Sequence, residues 1–252
     1  MMNSLEKPMV FAHRGSSAYA PENTMSAFDL AISQGADAIE LDTKLSADNI
    51  PVVIHDSSVD RTTNGTGNVA RLTYRELRNL DAGSSFDKIF SGERIPSLEE
   101  VLITYSEKII INIELTNYRS PSNNLPERVS QLIKNLNVPH SNLIVSSFNP
   151  ISLIKFNAKL PDIRIGLLTL GGLLGLWVNT PLSRLVHKEA IHPNKDMVSQ
   201  RYIAQQHHKG LKVRAYTVNE EEAMKHFFSW GIDGIFTDDP PKALKLLGKS
   251  QI

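Results

Sequence analysis

The chain has 252 residues, and its 27 Lys and Arg balance 27 Asp and Glu to a formal net charge of zero, so no bulk field draws it to nucleic acid. It contains no cysteine, which excludes disulfides, thiolate metal sites, cysteine nucleophiles and thiol redox chemistry. Any metal ligand must then be a histidine or a carboxylate. Met1-Met2-Asn3-Ser4-Leu5-Glu6-Lys7-Pro8 lacks the charged start and apolar core of a signal peptide, and the expectation is a cytoplasmic enzyme.

Apolar runs that read as buried strands alternate with amphipathic stretches that read as helices. In chain order the first half gives a strand at Met9–His13, a helix at Thr24–Gln34, a strand at Ala38–Asp42, a helix at Ser97–Tyr105, a strand at Ile109–Glu114 and a helix at Leu125–Leu136. The second half continues with strands at Leu143–Ser146, Ile163–Leu168, Ala190–His192, Leu211–Tyr216 and Gly234–Thr237. Its helices are Pro150–Leu160, Met197–Lys209, Glu220–Trp230 and Pro241–Leu247. Asn23, Ser97 and Asn219 offer N-cap side chains, and Gly35, Gly210, Gly231 and Gly248 stand where helices end. Eight continuously apolar strands, each followed by a helix or loop, fit an α/β fold of the closed (β/α)8 TIM-barrel type, with an open doubly wound sheet as the alternative.

Two segments depart from this rhythm. The interval from Ser57 to Ile95 is too long for an ordinary strand-to-helix loop. It is read as a small insertion at about 57–95, after the second barrel strand, within one domain spanning 1–252. The stretch Ile165–Val178 holds four glycines in 14 residues, too short to cross a bilayer. It reads as a strand running into a loop or short helix over the mouth of a site, or else as a lid making weak contact with a membrane.

Chemistry-bearing residues gather at strand ends. His13-Arg14-Gly15 closes the first strand: the imidazole exchanges protons near neutral pH, the guanidinium is a fork for phosphate, and the glycine lets the backbone turn close to a ligand. Pro21-Glu22-Asn23-Thr24 reads either as part of the same cluster or as helix-entry chemistry, with Asn23 or Thr24 as the cap. Glu40 and Asp42, two apart on a strand, share a face, and two such charges need a cation, either Lys44 or a hard divalent metal ion. The run Ile50–Asp56 then delivers His55 to the same mouth. Glu114 is a charge embedded in an apolar strand and needs a partner, which a metal shared with Glu40 and Asp42 would supply. Two histidines flanking a carboxylate-bound cation beside an arginine suit phosphodiester cleavage by acid–base catalysis. The pair His207-His208 and the isolated His140, His187 and His226 read as surface or incidental. His192 and Phe148, each at the end of a strand, read as packing residues or as contacts to substrate.

In order and spacing, His13-Arg14-Gly15, Pro21-Glu22-Asn23-Thr24, Glu40-Leu41-Asp42, Val52–Asp56 with Arg61-Thr62-Thr63, Asn112-Ile113-Glu114, Thr217-Val218-Asn219 and Asp233–Pro240 resemble the glycerophosphodiester phosphodiesterase family over nearly the whole chain. The resemblance implies a TIM barrel with one divalent metal ion, Ca2+ or Mg2+. It also implies hydrolysis of a small glycerophosphodiester to glycerol 3-phosphate and an alcohol. By position it makes Glu40, Asp42 and Glu114 the metal ligands, His13 and His55 the acid–base pair and Arg14 the phosphate clamp. Two departures stand out. Where the family has a lysine two residues after the third-strand glutamate this chain has Thr116, with Lys44 and Arg214 as candidate replacements. Tyr216 takes the place of a tryptophan, so the wall beside the substrate differs. A lysophospholipase D, with 165–178 over an acyl chain, and a barrel that binds metal without catalysis are the alternatives.

Overall fold

A computed structural model describes residues 7–118, 123–171 and 181–249. The eight apolar runs become eight parallel strands: β1 (Met9–Ala12), β2 (Ala38–Leu45), β4 (Ile110–Leu115), β5 (Leu143–Ser147), β6 (Arg164–Thr169), β7 (Ala190–Pro193), β8 (Lys212–Ala215) and β9 (Gly234–Thr237). They pair in sequence, and β1 pairs with both β2 and β9, which closes the barrel and rules out the open sheet. A ninth strand, β3 (Pro51–Val53), folds back antiparallel on the end of β2, with Val53 opposite Thr43. That pairing carries β2 three residues beyond the expected Asp42.

The helices are α1 (Met25–Ser33), α2 (Tyr74–Arg78), α3 (Leu98–Tyr105), α4 (Leu125–Leu136), α5 (Pro150–Asn157), α6 (Pro181–Arg184), α7 (Gln200–His208), α8 (Glu221–Ser229) and α9 (Pro240–Leu246). Capping boxes start α2, where Thr73 and Glu76 exchange bonds, and α3, where Ser97 and Glu100 do so. Of the two candidate caps for α1, Thr24 is the one used, because the Asn23 side chain is spent on Asp42. Asn219 likewise turns to Asp238 and leaves α8 without a side-chain cap.

Strand alternation sorts the sequence into two environments. Ile39, Leu41, Ile111, Ile113 and Val145 point outward into the core beneath the helices, and Val10, Val213, Ala215 and Ile235 into a second such core. The alternate residues point inward, where Phe11, Ala38, Ile144 and Phe236 fill the lower barrel. Above them the register sets Glu40 beside Asn112, and Asp42 beside Glu114. The chain between β3 and α3 packs α2 around a cluster of its own, Val59, Val69, Leu77, Ala82 and Ile95, which joins Val52 of β3. Of Ile165–Val178, the residues up to Thr169 are buried in β6 as barrel wall and Leu170 just beyond is exposed; 172–180 lies outside the described residues. Among the described residues no helix is long and apolar enough to cross a membrane.

Candidate active site

The carboxylates of Glu40, Asp42 and Glu114 converge at the C-terminal end of β2 and β4, each offering an oxygen within 4.8 Å of the others. Glu40 and Asp42 are each only 2% exposed. Burial pushes the Glu40 carboxyl well above its ordinary range, and the charges of Asp42 and Glu114 push it further. Burial and then Asp42 raise Glu114 to about 8. The cluster is thus of the kind that holds a divalent metal ion, since three gathered carboxylates repel one another when ionised and a hard cation relieves that repulsion. The donor set fits such an ion: all oxygen, with the buried Asn112 Oδ1 unpartnered in the same small cavity of about 20 Å³, which His13 and Tyr216 also line. Asn112 is held in place by donating from Nδ2 to Ser146 at 2.8 Å.

Arg14 leaves β1 in a left-handed conformation (φ 58°) and threads its groups among these acids. Its backbone N–H donates to Glu40 at 2.9 Å, its Nη1 to Glu22 at 2.9 Å, and its Nε lies 3.3 Å from Asp42. Gly15 follows with φ 82°, and a Cβ there would sit 2.6 Å from Ala27. The glycine thus makes the turn that the sequence suggested and also allows close packing on α1. Lys44, weighed as the counter-ion of Glu40 and Asp42, donates to the hydroxyl and carbonyl of Thr116 at 2.9 and 3.0 Å, and its charge also acts on Glu114.

Each histidine has its own carboxylate. His13, immediately after β1, sets Nδ1 at 2.6 Å from Asp238, just past the neighbouring β9. Burial pushes the Asp238 carboxyl up, but His13, Asn219 and Ser17 outweigh it and hold it at about 2. A permanent carboxylate at Nδ1 fixes the ring with the proton on that nitrogen and leaves Nε2 for chemistry. His55 has the same arrangement with Asp56, at 2.7 Å. Unlike His13, His55 lines a separate small cavity with Glu22 and Asn23, and Asn23 reaches the carboxylate cluster by donating to Asp42 at 2.9 Å. Beside His13 and Arg14 a cleft of about 360 Å³ opens to solvent, large enough for a small diester.

Three aromatic rings wall the opposite side, Phe148 standing edge-on between Tyr118 at 5.4 Å and Tyr216 at 5.8 Å. Tyr216 donates its hydroxyl to the Thr169 carbonyl at 2.7 Å, and Tyr118 donates to Glu114. Phe148 and Tyr216, singled out in the sequence, are thus together at the mouth.

A profile of the glycerophosphoryl diester phosphodiesterase family matches residues 13–242, from the first of these histidines into α9. The chain belongs to this family. It is 38% identical to a glycerophosphodiester phosphodiesterase of Caldanaerobacter subterraneus, over 96% of this chain and 99% of that one. An enzyme of the same name from Bacillus altitudinis is also 38% identical, over 94% and 97%. Among solved structures, a phosphodiesterase of Oleispira antarctica in complex with the product sn-glycerol-3-phosphate superposes with a TM-score of 0.87 at 31% identity, covering 96% of this chain and 97% of that one.

Within this family member, the Arg214 reading needs correction, and for His192 the packing alternative holds. Arg214, a candidate for the missing cation, is 1% exposed and points to the opposite end of the barrel, where it meets Glu189 at 3.2 Å. His192 is not at the mouth but fully buried in the barrel, against Phe236 and so close to Gly166 that a Cβ there would lie 2.2 Å from its ring. His207, read as solvated, is exposed but pairs with Asp233 at 2.7 Å. Sequence reasoning gave no role to Asp238, Asp56 or Tyr118. Asp56 was findable as the neighbour of His55; Asp238 is 225 residues from its histidine, and only closure of the barrel joins them.

Proposed function

We propose that this chain hydrolyses glycerophosphodiesters to glycerol 3-phosphate and an alcohol at the mouth of the barrel. The observation that carries the reading is the three-carboxylate cluster with the carboxylate-anchored imidazole of His13 beside it, in a chain that matches the family almost end to end; His55, anchored by Asp56, lines the adjoining cavity with Glu22 and Asn23. Glu40, Asp42 and Glu114 would hold one calcium or magnesium ion, with Asn112 beneath them. Such an ion, when bound, neutralises the carboxylates and withdraws charge from a phosphoryl oxygen.

The chain's own residues do the rest. Arg14 binds the phosphate, and Glu22 and Asp42 fix the plane of its guanidinium. One imidazole takes a proton at Nε2 from the attacking oxygen. As the bond from phosphorus to the leaving alcohol oxygen breaks, the other imidazole protonates that oxygen. Asp238 and Asp56 stabilise whichever ring is positively charged. Phe148 and Tyr216 pack against the carbon skeleton of the substrate.

Lys44 takes the part of the cation that the resemblance places at position 116. Its ammonium lies at the Thr116 side chain and eases the charge on Glu114. Lys44→Ala is expected to lower kcat/KM by about 10-fold or more, in the range for loss of a charged hydrogen bond. An unchanged kcat/KM would remove Lys44 from the site.

The reading as a whole is tested by incubating purified protein with glycerophosphocholine and following phosphorus resonances. Glycerol 3-phosphate is the expected product; phosphocholine would mean that the other ester bond breaks. No observation favours the lysophospholipid alternative: of the segment that motivated it, 165–178, the residues up to Thr169 form barrel wall in β6 and those from 172 lie outside the described residues.

A further inference from the structure

Arg61 follows β3 in the segment that packs around its own small core, and its guanidinium is divided between two carboxylates. Nε donates to Asp56 Oδ2 at 2.6 Å, while Nη1 and Nη2 donate to the two oxygens of Glu22 at 2.7 and 2.9 Å. Each of those carboxylates also holds a second side chain. Asp56 uses Oδ1 for the His55 ring at 2.7 Å, and Glu22 accepts from Arg14 at 2.9 Å. Arg14 in turn lies 3.3 Å from Asp42. A continuous chain of charged contacts therefore runs from His55 through Asp56, Arg61, Glu22 and Arg14 to the carboxylate cluster.

We propose that Arg61 is a positioning residue that fixes His55 and Arg14 relative to each other. The proposal rests on the hydrolysis argued above. Glu22 and Arg61 are 39 positions apart, on segments entering the mouth from different strands, and Arg61 joins them. Its side chain is half exposed, so the individual ion pairs add little stability. What they supply is geometry: a planar fork meets two carboxylates at fixed angles, which a lysine ammonium cannot do. The Arg61 hydrogen bond, working against burial, also holds Asp56 far below the usual carboxylate range, so that Asp56 stays an acceptor for His55. Without Arg61, Asp56 loses the contact that orients it toward His55. Glu22 is then left to Arg14 alone and competes with the phosphate for it.

Arg61→Ala and Arg61→Lys test this through kcat, KM and thermal midpoint, each measured in the wild-type and His55→Ala backgrounds. Both variants are expected to melt within a few degrees of the parent. In the wild-type background kcat falls at least about 10-fold and KM rises, and lysine restores less than half of the loss on a logarithmic scale. In the His55→Ala background the kcat effect of Arg61→Ala shrinks to about 3-fold or less, because the ring it orients is gone, while the KM effect through Arg14 remains. An active wild-type enzyme whose kcat and KM survive Arg61→Ala overturns the proposal, as does a kcat loss of equal size in both backgrounds. A wild-type enzyme without turnover overturns the hydrolysis reading and this proposal with it.

Discussion

His13→Ala is expected to lower kcat by about 10²–10⁴-fold with little change in thermal midpoint, the usual contribution of a positioned acid or base. The ring sits between the carboxylate cluster and the open cleft, and its far nitrogen is tied to Asp238 at 2.6 Å, so its loss removes a proton-transfer group without opening the core. His55→Ala is expected to behave similarly, through the dyad with Asp56. Asp238→Asn separates catalysis from packing in the first case. An amide keeps the shape but offers either an N–H to a nitrogen that already bears hydrogen or a neutral oxygen in place of a charge. The ring then loses its fixed tautomer, and kcat falls by at least about 10-fold. Near-parental rates in His13→Ala would remove it from the mechanism; near-parental rates in Asp238→Asn would reduce that carboxylate to a packing group.

Removing the metal is expected to abolish turnover and to change how stability depends on pH. In the metal-free protein Glu114 titrates near 8 against an ordinary value of 4.5, so between those limits the folded state binds more protons than the unfolded one. Stability of the chelated protein then falls as pH rises from about 4.5 to about 8, with Glu40, also raised, contributing in the same direction. Added calcium or magnesium replaces those protons, so the rise in thermal midpoint on adding metal is larger at pH 8 than at pH 5. Asp42→Asn is expected to lower metal affinity and turnover by at least about 10²-fold, several kcal/mol of lost electrostatic stabilisation. Glu40→Gln keeps the acceptor for the Arg14 N–H but removes one of the repelling charges. The chelated variant should therefore melt above the chelated wild type at pH 8, although it binds metal more weakly. Calorimetric titration with each metal, and melting curves at the two pH values, check these outcomes. A chelated protein whose midpoint does not fall between pH 5 and pH 8 would contradict the charge accounting of the cluster.

The barrel was legible because parallel strands covered on both faces leave unbroken apolar runs, and all eight lie where those runs are. The carboxylate cluster was legible for the same reason in reverse: Glu40, Asp42 and Glu114 interrupt such runs, and strand parity turns all three inward. Parity does not give depth. Arg214 shares the parity of Tyr216, but two residues along a strand is about 6–7 Å, and that step takes it from the mouth to the opposite end, toward Glu189. For His192 depth decides between the two readings, and it packs inside the barrel. The Asn219 cap was misread because that side chain has a better distant partner in Asp238, and the choice of Thr24 over Asn23 was open for the same reason, since Asn23 is taken by Asp42. The anchors of the two histidines mark the same limit: Asp56 adjoins its ring in sequence, whereas Asp238 reaches His13 only because β9 closes on β1. The short strand β3 was hidden inside a run read only as a way of delivering His55.

The most direct test of the whole account is glycerol 3-phosphate release from a panel of glycerophosphodiesters, measured on protein stripped with chelator and then resupplied separately with calcium, magnesium or manganese. The account predicts turnover that vanishes on stripping, returns with metal, and is lost again in His13→Ala at saturating metal. Turnover that persists undiminished after the metal is removed would contradict it, as would silence across the panel with metal bound.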